Sequence, residues 1–178
     1  MIQLREKHLE REKFLEEAKE ILPLCHRYQV PLIINDDVAL AKEVGADGVH
    51  IGQGDMALAA AKQILGEDAI IGVTAKTIDQ ARAAETAGAT YLGSGAVFAT
   101  NTKADAKPMS LDLFQKICAS VSIPVVAIGG ISANNLYFLK GRKMAGIAVV
   151  SGIFASADIE AETRRLRQKM DDILEKGI

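Results

Sequence analysis

Two acidic residues, Asp36 and Asp55, each stand just past a short apolar run. Ile33-Ile34 leads into Asn35-Asp36-Asp37, and Val49-His50-Ile51 leads into Gly52-Gln53-Gly54-Asp55. Basic residues recur in the same setting: Ile2-Gln3-Leu4 runs into Arg5-Glu6-Lys7, and Ala96-Val97-Phe98 is followed by Thr100-Asn101-Thr102-Lys103. Where parallel strands close into a barrel, their C-terminal ends meet on one face and the chemistry sits there. On that reading the carboxylates of Asp36 and Asp55, the cations Arg5, Lys7 and Lys103, and several hydroxyls surround one cavity. That mixture suits a divalent metal ion and a polyphosphate, because Mg2+ takes hard oxygen ligands, often one or two carboxylates plus substrate phosphates.

Each candidate has a plainer alternative. Asp36 and Asp55 are the metal candidates, yet Asp also favours the N-cap of a following helix, and Asp55 directly precedes the helix-like Met56-Ala57-Leu58-Ala59. Asp37 reads as such a cap or as a solvated residue rather than as a further ligand. Gln3, Arg5 and Lys7 alternate along an extended segment, so their side chains share one side and could face one anion; the alternative is a solvated loop. Thr100, Asn101, Thr102 and Lys103 could wrap a pyrophosphate, with Thr74 adding a hydroxyl after Ile70-Ile71-Gly72-Val73; the alternative for Thr74 is again an N-cap. Gly129-Gly130-Ile131 and Val150-Ser151-Gly152 close the last two apolar runs, where barrels often hold a phosphomonoester on backbone N–H groups. His50, inside an apolar run, reads as a structural histidine. No Ser/His/Asp or Cys/His arrangement is present, so the chemistry rests on metal and anion binding rather than on a strong nucleophile.

The elements that would position these residues alternate. Apolar, strand-like runs begin near residues 2, 31, 48, 69, 90, 124 and 146, and amphipathic stretches over 10–29, 56–65, 78–88, 110–120, 132–141 and 155–175 read as helices. In the first of these, Leu15, Ala18, Leu22 and Cys25 recur at spacings of three and four. Near-continuous apolar strands alternating with helices predict an α/β fold with a parallel sheet covered by helices. Gly45 and Gly88 stand where a helix hands over to a strand and predict left-handed C-caps. A single domain over residues 1–178 is expected. Seven strands are one short of a closed (β/α)8 TIM-type barrel, so the expectation is an incomplete barrel lacking an N-terminal strand and helix; an open doubly wound sheet is the alternative. The polar connection 99–108 suits a lid over the site.

Composition narrows the function classes. The 178 residues are 49% hydrophobic and 25% charged, with a net charge of −2 and only 4% aromatics. No basic run or aromatic ladder points to nucleic acid. Cys25 and Cys118 have no metal or CxxC spacing and read as reduced, buried thiols. No apolar stretch approaches the ~20 residues of a membrane span, and charge within the first five residues is unlike a signal peptide. A cytoplasmic enzyme is expected, with small-molecule substrates and neither nucleic acid nor membrane as partner; assembly into a homo-oligomer stays open.

Taken together, Gln3-Leu4-Arg5-Glu6-Lys7, Ile33–Asp36, Gly45–Asp55, Ile71–Thr74, Tyr91–Lys103, Val125–Ile131 and Gly146–Ser151 resemble the thiamine phosphate synthase family, in order and across essentially the whole chain. The resemblance implies a (β/α)8 barrel and a transferase that joins 4-amino-2-methyl-5-hydroxymethylpyrimidine diphosphate to a thiazole phosphate, giving thiamine phosphate and pyrophosphate by a Mg2+-assisted dissociative route. It implies that the 3–7 segment (Gln3, Leu4, Arg5, Glu6, Lys7) and Asn35 contact the pyrimidine diphosphate and that Asp36 and Asp55 hold Mg2+. Thr74 stands where the family usually has Ser and keeps the hydroxyl. Thr100, Asn101, Thr102 and Lys103 would line the lid, and Gly130, Val150 and Ser151 would hold the thiazole phosphate. Arg5, Lys7 and Lys103 would be the catalytic cations. A thiazole tautomerase would need a histidine in the loop after the fifth strand, where this chain has Thr74-Ala75-Lys76-Thr77. A non-catalytic phosphate-binding relative is the other alternative.

Overall fold

Fully apolar strands can persist only where both faces are covered. Leu32, Ile33 and Ile34 are completely buried, and Val49 and Ile71 on the two following strands are equally so. The computed structural model describes residues 1–100 and 108–175. The chain divides into two compact units: Met1–Thr74 with Thr86–Thr90, and Ala75–Glu85 with Tyr91–Ile178.

The first unit alternates strand and helix: β1 (Ile2–Leu4), α1 (Arg11–Arg27), β2 (Leu32–Asn35), α2 (Val38–Val44), β3 (Gly48–Ile51), α3 (Leu58–Leu65) and β4 (Ile70–Thr74). Strands β1 to β4 pair in parallel and in chain order. Asn35 lies opposite His50, and His50 opposite Gly72, so the C-terminal ends of β2, β3 and β4 are level. Gly48 is required by that packing, because a β-carbon there would fall 1.8 Å from the Ile70 carbonyl oxygen. At the opposite end, Asp47 accepts from the Leu32 N–H at 2.7 Å and meets His26 at 3.0 Å, tying α1 to the start of β2.

Helix α1 buries Phe14, Ala18 and Cys25. Ala18 and Cys25 of the expected stripe are therefore buried, Phe14 joins them, and Leu15 and Leu22 are half-buried. Helix α2, too short for a periodicity window, is capped by Asp37, whose carboxylate accepts from the Leu40 N–H at 2.8 Å, and closed by Gly45 at φ +74°. Both features match the sequence expectation, as does the positive φ of Gly88.

The second unit holds α4 (Ile78–Thr86), β5 (Tyr91–Gly95), α5 (Leu111–Ala119), β6 (Val125–Ile128), a 3-10 helix (Leu136–Leu139), β7 (Gly146–Ala148), α6 (Ser151–Phe154) and α7 (Ile159–Glu175). Strands β5, β6 and β7 are again parallel and in chain order. Beyond the ladder, Val97 and Phe98 donate to the carbonyls of Ile128 and Gly129. Helix α5 is capped by Ser110, which accepts from the Leu113 N–H at 3.1 Å, and buries Phe114, Ile117 and Cys118. The expected helix over 132–141 is reduced to one 3-10 turn. Asn135 bonds backbone groups on its N-terminal side, offering the chain an alternative to α-helix.

Candidate functional site

Asp36 follows β2 in the left-handed region, at φ +65°. Asp is among the few residues with a β-carbon that tolerate this conformation. Its N–H donates to the His50 carbonyl at 2.8 Å, pinning the residue to the end of β3. Its carboxylate pairs with the Lys7 ammonium and lies within hydrogen-bonding reach of Asp55 and Asn35. Burial opposes ionisation of Asp36 most strongly. The hydrogen bond from Lys7, those with Asp55 and Asn35, and the Lys7 charge outweigh it and hold the carboxyl below the ordinary carboxylate range.

Asp55 is reached through a tight turn. The Gly52 N–H donates to its carboxylate at 2.6 Å, and its own N–H returns to the Gly52 carbonyl at 3.3 Å. The alternative expectation that these aspartates cap helices does not hold. Asp37, not Asp36, caps α2, and α3 starts after Ala57 with no side-chain cap. Both carboxylates are thereby left for the site. Two carboxylates this close repel unless a cation or a shared proton lies by them; Lys7 meets part of that need.

Thr74, the last residue of β4, is fixed from two sides. Its hydroxyl lies 2.9 Å from His50 Nε2, and its carbonyl accepts from Gln53 Nε2 at 2.6 Å. The cap of α4 is Thr77, which accepts from the Gln80 N–H at 3.1 Å, so Thr74 is not spent on capping. Gln3 and Glu6 are exposed, while Leu4 and Arg5 are half-buried at the end of β1.

In the second unit, Ala99, Thr100, Gly130, Ile131, Ser132, Ser151, Gly152 and Ala155 line a cavity of about 620 Å³. Gly130 has φ +64°, and a β-carbon on it would lie 2.2 Å from the Ala99 carbonyl oxygen. On Gly152 it would lie 2.5 Å from the Ile131 carbonyl oxygen. Glycine thus lets three backbone segments crowd around one space. Thr100, Gly130 and Ser151, singled out from sequence, meet here; Val150 precedes α6 and is exposed. Asn101, Thr102 and Lys103, with most of the expected lid, lie outside the described residues.

Sequence reasoning did not single out Gln53, Ser132 or Asn135, and it read His50 as structural, in keeping with its contact with the Thr74 hydroxyl. The available signals were the Gln between two glycines and the Ser132-x-x-Asn135 spacing after Gly129-Gly130. Residues 1–153 match the family model described as thiamine monophosphate synthase. The chain belongs to the thiamine monophosphate synthase family. It is 46% identical over 166 residues to the thiamine-phosphate synthase of Ruminiclostridium cellulolyticum, covering 93% of this chain and 79% of that protein. To thiamine-phosphate synthase 2 of Streptococcus pneumoniae serotype 4 it is 42% identical over 174 residues, covering 98% and 83%. Thiamine phosphate pyrophosphorylase from Pyrococcus furiosus superposes with a TM-score of 0.89 at 37% identity, over 97% of this chain and 83% of that one. That likeness bears out the expected α/β barrel class, and the described residues hold seven strands. Among its described residues no helix is long and apolar enough to cross a membrane.

Proposed function

We propose that this chain condenses the pyrimidine diphosphate with the thiazole phosphate, releasing pyrophosphate and thiamine phosphate. The activity is that of a thiamine-phosphate synthase, a transferase acting on small molecules, as its relatives' names support. The observation that carries the residue assignments is the meeting of Lys7, Asp36 and Asp55 at the strand ends of the first unit. Two carboxylates within reach of each other fit Mg2+. Among the described residues no group of three or more His, Cys, Asp or Glu side chains gathers, so water and substrate phosphate would have to supply the ion's remaining ligands. When bound, Mg2+ would neutralise charge on the diphosphate.

Gln3, Arg5, Lys7 and Asn35 would bind and orient the pyrimidine diphosphate, with Leu4 and Glu6 in the same segment. The Thr74 hydroxyl, held by His50, would bond a phosphate oxygen. Thr100, Asn101, Thr102 and Lys103 would close over the pyrophosphate. The cavity of the second unit would take the thiazole phosphate on Gly130, Val150 and Ser151.

In the reaction the C–O bond to the diphosphate breaks and its electron pair leaves with pyrophosphate. The thiazole nitrogen then donates its lone pair to the pyrimidine methylene cation, forming the C–N bond. Such a step needs stabilisation of the leaving group more than a base. Arg5, Lys7 and Lys103 supply positive charge, and exclusion of water protects the cation. The cytoplasm is the proposed location.

Mass-spectrometric detection of thiamine phosphate from both substrates and Mg2+ tests the proposal. Product should form, vanish with EDTA, and fall at least ~10²-fold in Asp36→Asn. Absence of product from folded protein would refute the activity. Product that persists in EDTA would refute the metal assignment.

A further inference from the structure

The wall of the second unit's cavity is held by a side chain that the proposed reaction does not use. Asn135 Nδ2 donates to the Gly130 carbonyl at 2.7 Å, and Asn135 Oδ1 accepts from the Ser132 N–H at 2.9 Å. One amide therefore clamps both ends of the Gly130-Ile131-Ser132 wall. The clamp is itself anchored: the Asn135 and Leu136 N–H groups donate to the Ser132 carbonyl at 3.2 and 3.1 Å. From α7, Lys169 Nζ donates to the Ala133 carbonyl at 3.0 Å. Gly129 and Gly130 both have positive φ, a backbone that glycine visits in many other conformations when unrestrained. A loop this free needs an external restraint to present one arrangement.

We propose that Asn135 is a positioning residue that presets the Gly130–Ser132 wall for a phosphomonoester. This inference rests on the proposed thiazole phosphate site and names a residue that shapes it without touching the ligand. The Asn side chain suits the task because it donates and accepts at once. Aspartate could still accept from Ser132 but would oppose its carboxylate to the Gly130 carbonyl, and alanine could do neither.

The test compares Asn135→Ala and Asn135→Asp with the wild-type chain. KM for thiazole phosphate should rise at least about tenfold in Asn135→Ala, as misplacement of positioning groups does, and at least as much in Asn135→Asp, whose carboxylate opposes the Gly130 carbonyl. KM for the pyrimidine diphosphate should not change in either. Calorimetric titration with thiazole phosphate alone should show the same order of weakening, whether or not the chain turns over. Unchanged thiazole phosphate affinity in folded variants would overturn the inference. So would equal loss for both substrates, which marks a general structural defect, and so would failure of the wild-type chain to bind thiazole phosphate. If Asn135→Ala does not fold, Asn135→Asp decides alone. Weakened binding in the variants of a chain that forms no thiamine phosphate would support the clamp while refuting the proposed activity.

Discussion

Replacing Gly130 by alanine tests the cavity of the second unit with one methyl group. The added β-carbon would sit 2.2 Å from the Ala99 carbonyl oxygen and 2.9 Å from the Phe98 carbonyl carbon. Non-bonded heavy atoms settle at about 3.5 Å, so one of the two backbone segments must give way by about 1 Å. A misplacement of that size in positioning groups costs about 10²-fold in rate. The residue must also keep φ +64°, which costs a residue bearing a β-carbon about 1–2 kcal/mol. For a chain of this length that lowers the melting temperature by about 2–8 °C. Gly146→Ala is the control, because its site is open and its backbone is not left-handed; it should be neutral or slightly stabilising. Steady-state formation of thiamine phosphate, with thiazole phosphate varied, and calorimetric melting read both effects. Gly130→Ala with wild-type kcat/KM for thiazole phosphate and an unchanged melting temperature would refute the crowding argument.

Lys103→Ala should lower turnover at least ~10²-fold, the usual cost of losing one charge-stabilising donor; near wild-type turnover would remove Lys103 from the mechanism. Burial pushes the Cys118 thiol up to about 11, whereas an unfolded thiol titrates near ~8.5. The folded state therefore disfavours the thiolate, and its stability is full below about pH 8.5 and falls as pH rises towards the folded value. Iodoacetamide at pH 8 should label Cys118 in unfolded protein and spare it in native protein, and rapid native labelling would contradict this. Glu85 accepts from the Ser122 hydroxyl and N–H, both at 2.6 Å, and from the Ile123 N–H at 3.2 Å. The Ser122 bonds foremost hold its carboxyl below the usual range. A depressed folded pKa stabilises above the unfolded value, ~4.3, and the effect is lost as pH falls through the folded one. Glu85→Gln should thus melt lower than wild type at pH 7, with the gap closing below about pH 4; a gap independent of pH would exclude the charge as its source.

Much of the fold was legible because its signals are local. All seven strands begin within two residues of the apolar runs read from sequence, since a strand buried on both faces must be apolar throughout. Gly45 and Asp37 announced the two ends of α2 even though the helix itself was too short to show a period. The stretch 132–141 misled because its composition allows a helix while Asn135 is engaged with Gly130 and Ser132 instead. The family resemblance pointed to Asp36, Asp55, Thr74, Gly130 and Ser151 as candidates; local reasoning alone left each aspartate divided between ligand and cap.

The sequence by itself determined the order of the strands, the left-handed turns at Gly45 and Gly88, and the family, because these depend on neighbours along the chain. Tertiary structure decided which polar groups meet. Asp36 faces Lys7, 29 residues away, and the Thr74 hydroxyl faces His50, 24 residues away. Such partners are chosen by the register of parallel strands, which levels Asn35 with His50 and His50 with Gly72. Nothing at Asp36 or Thr74 alone encodes that alignment. It follows from how buried strands pack side by side, so a carboxylate that could have capped a helix is left facing a lysine and a second carboxylate.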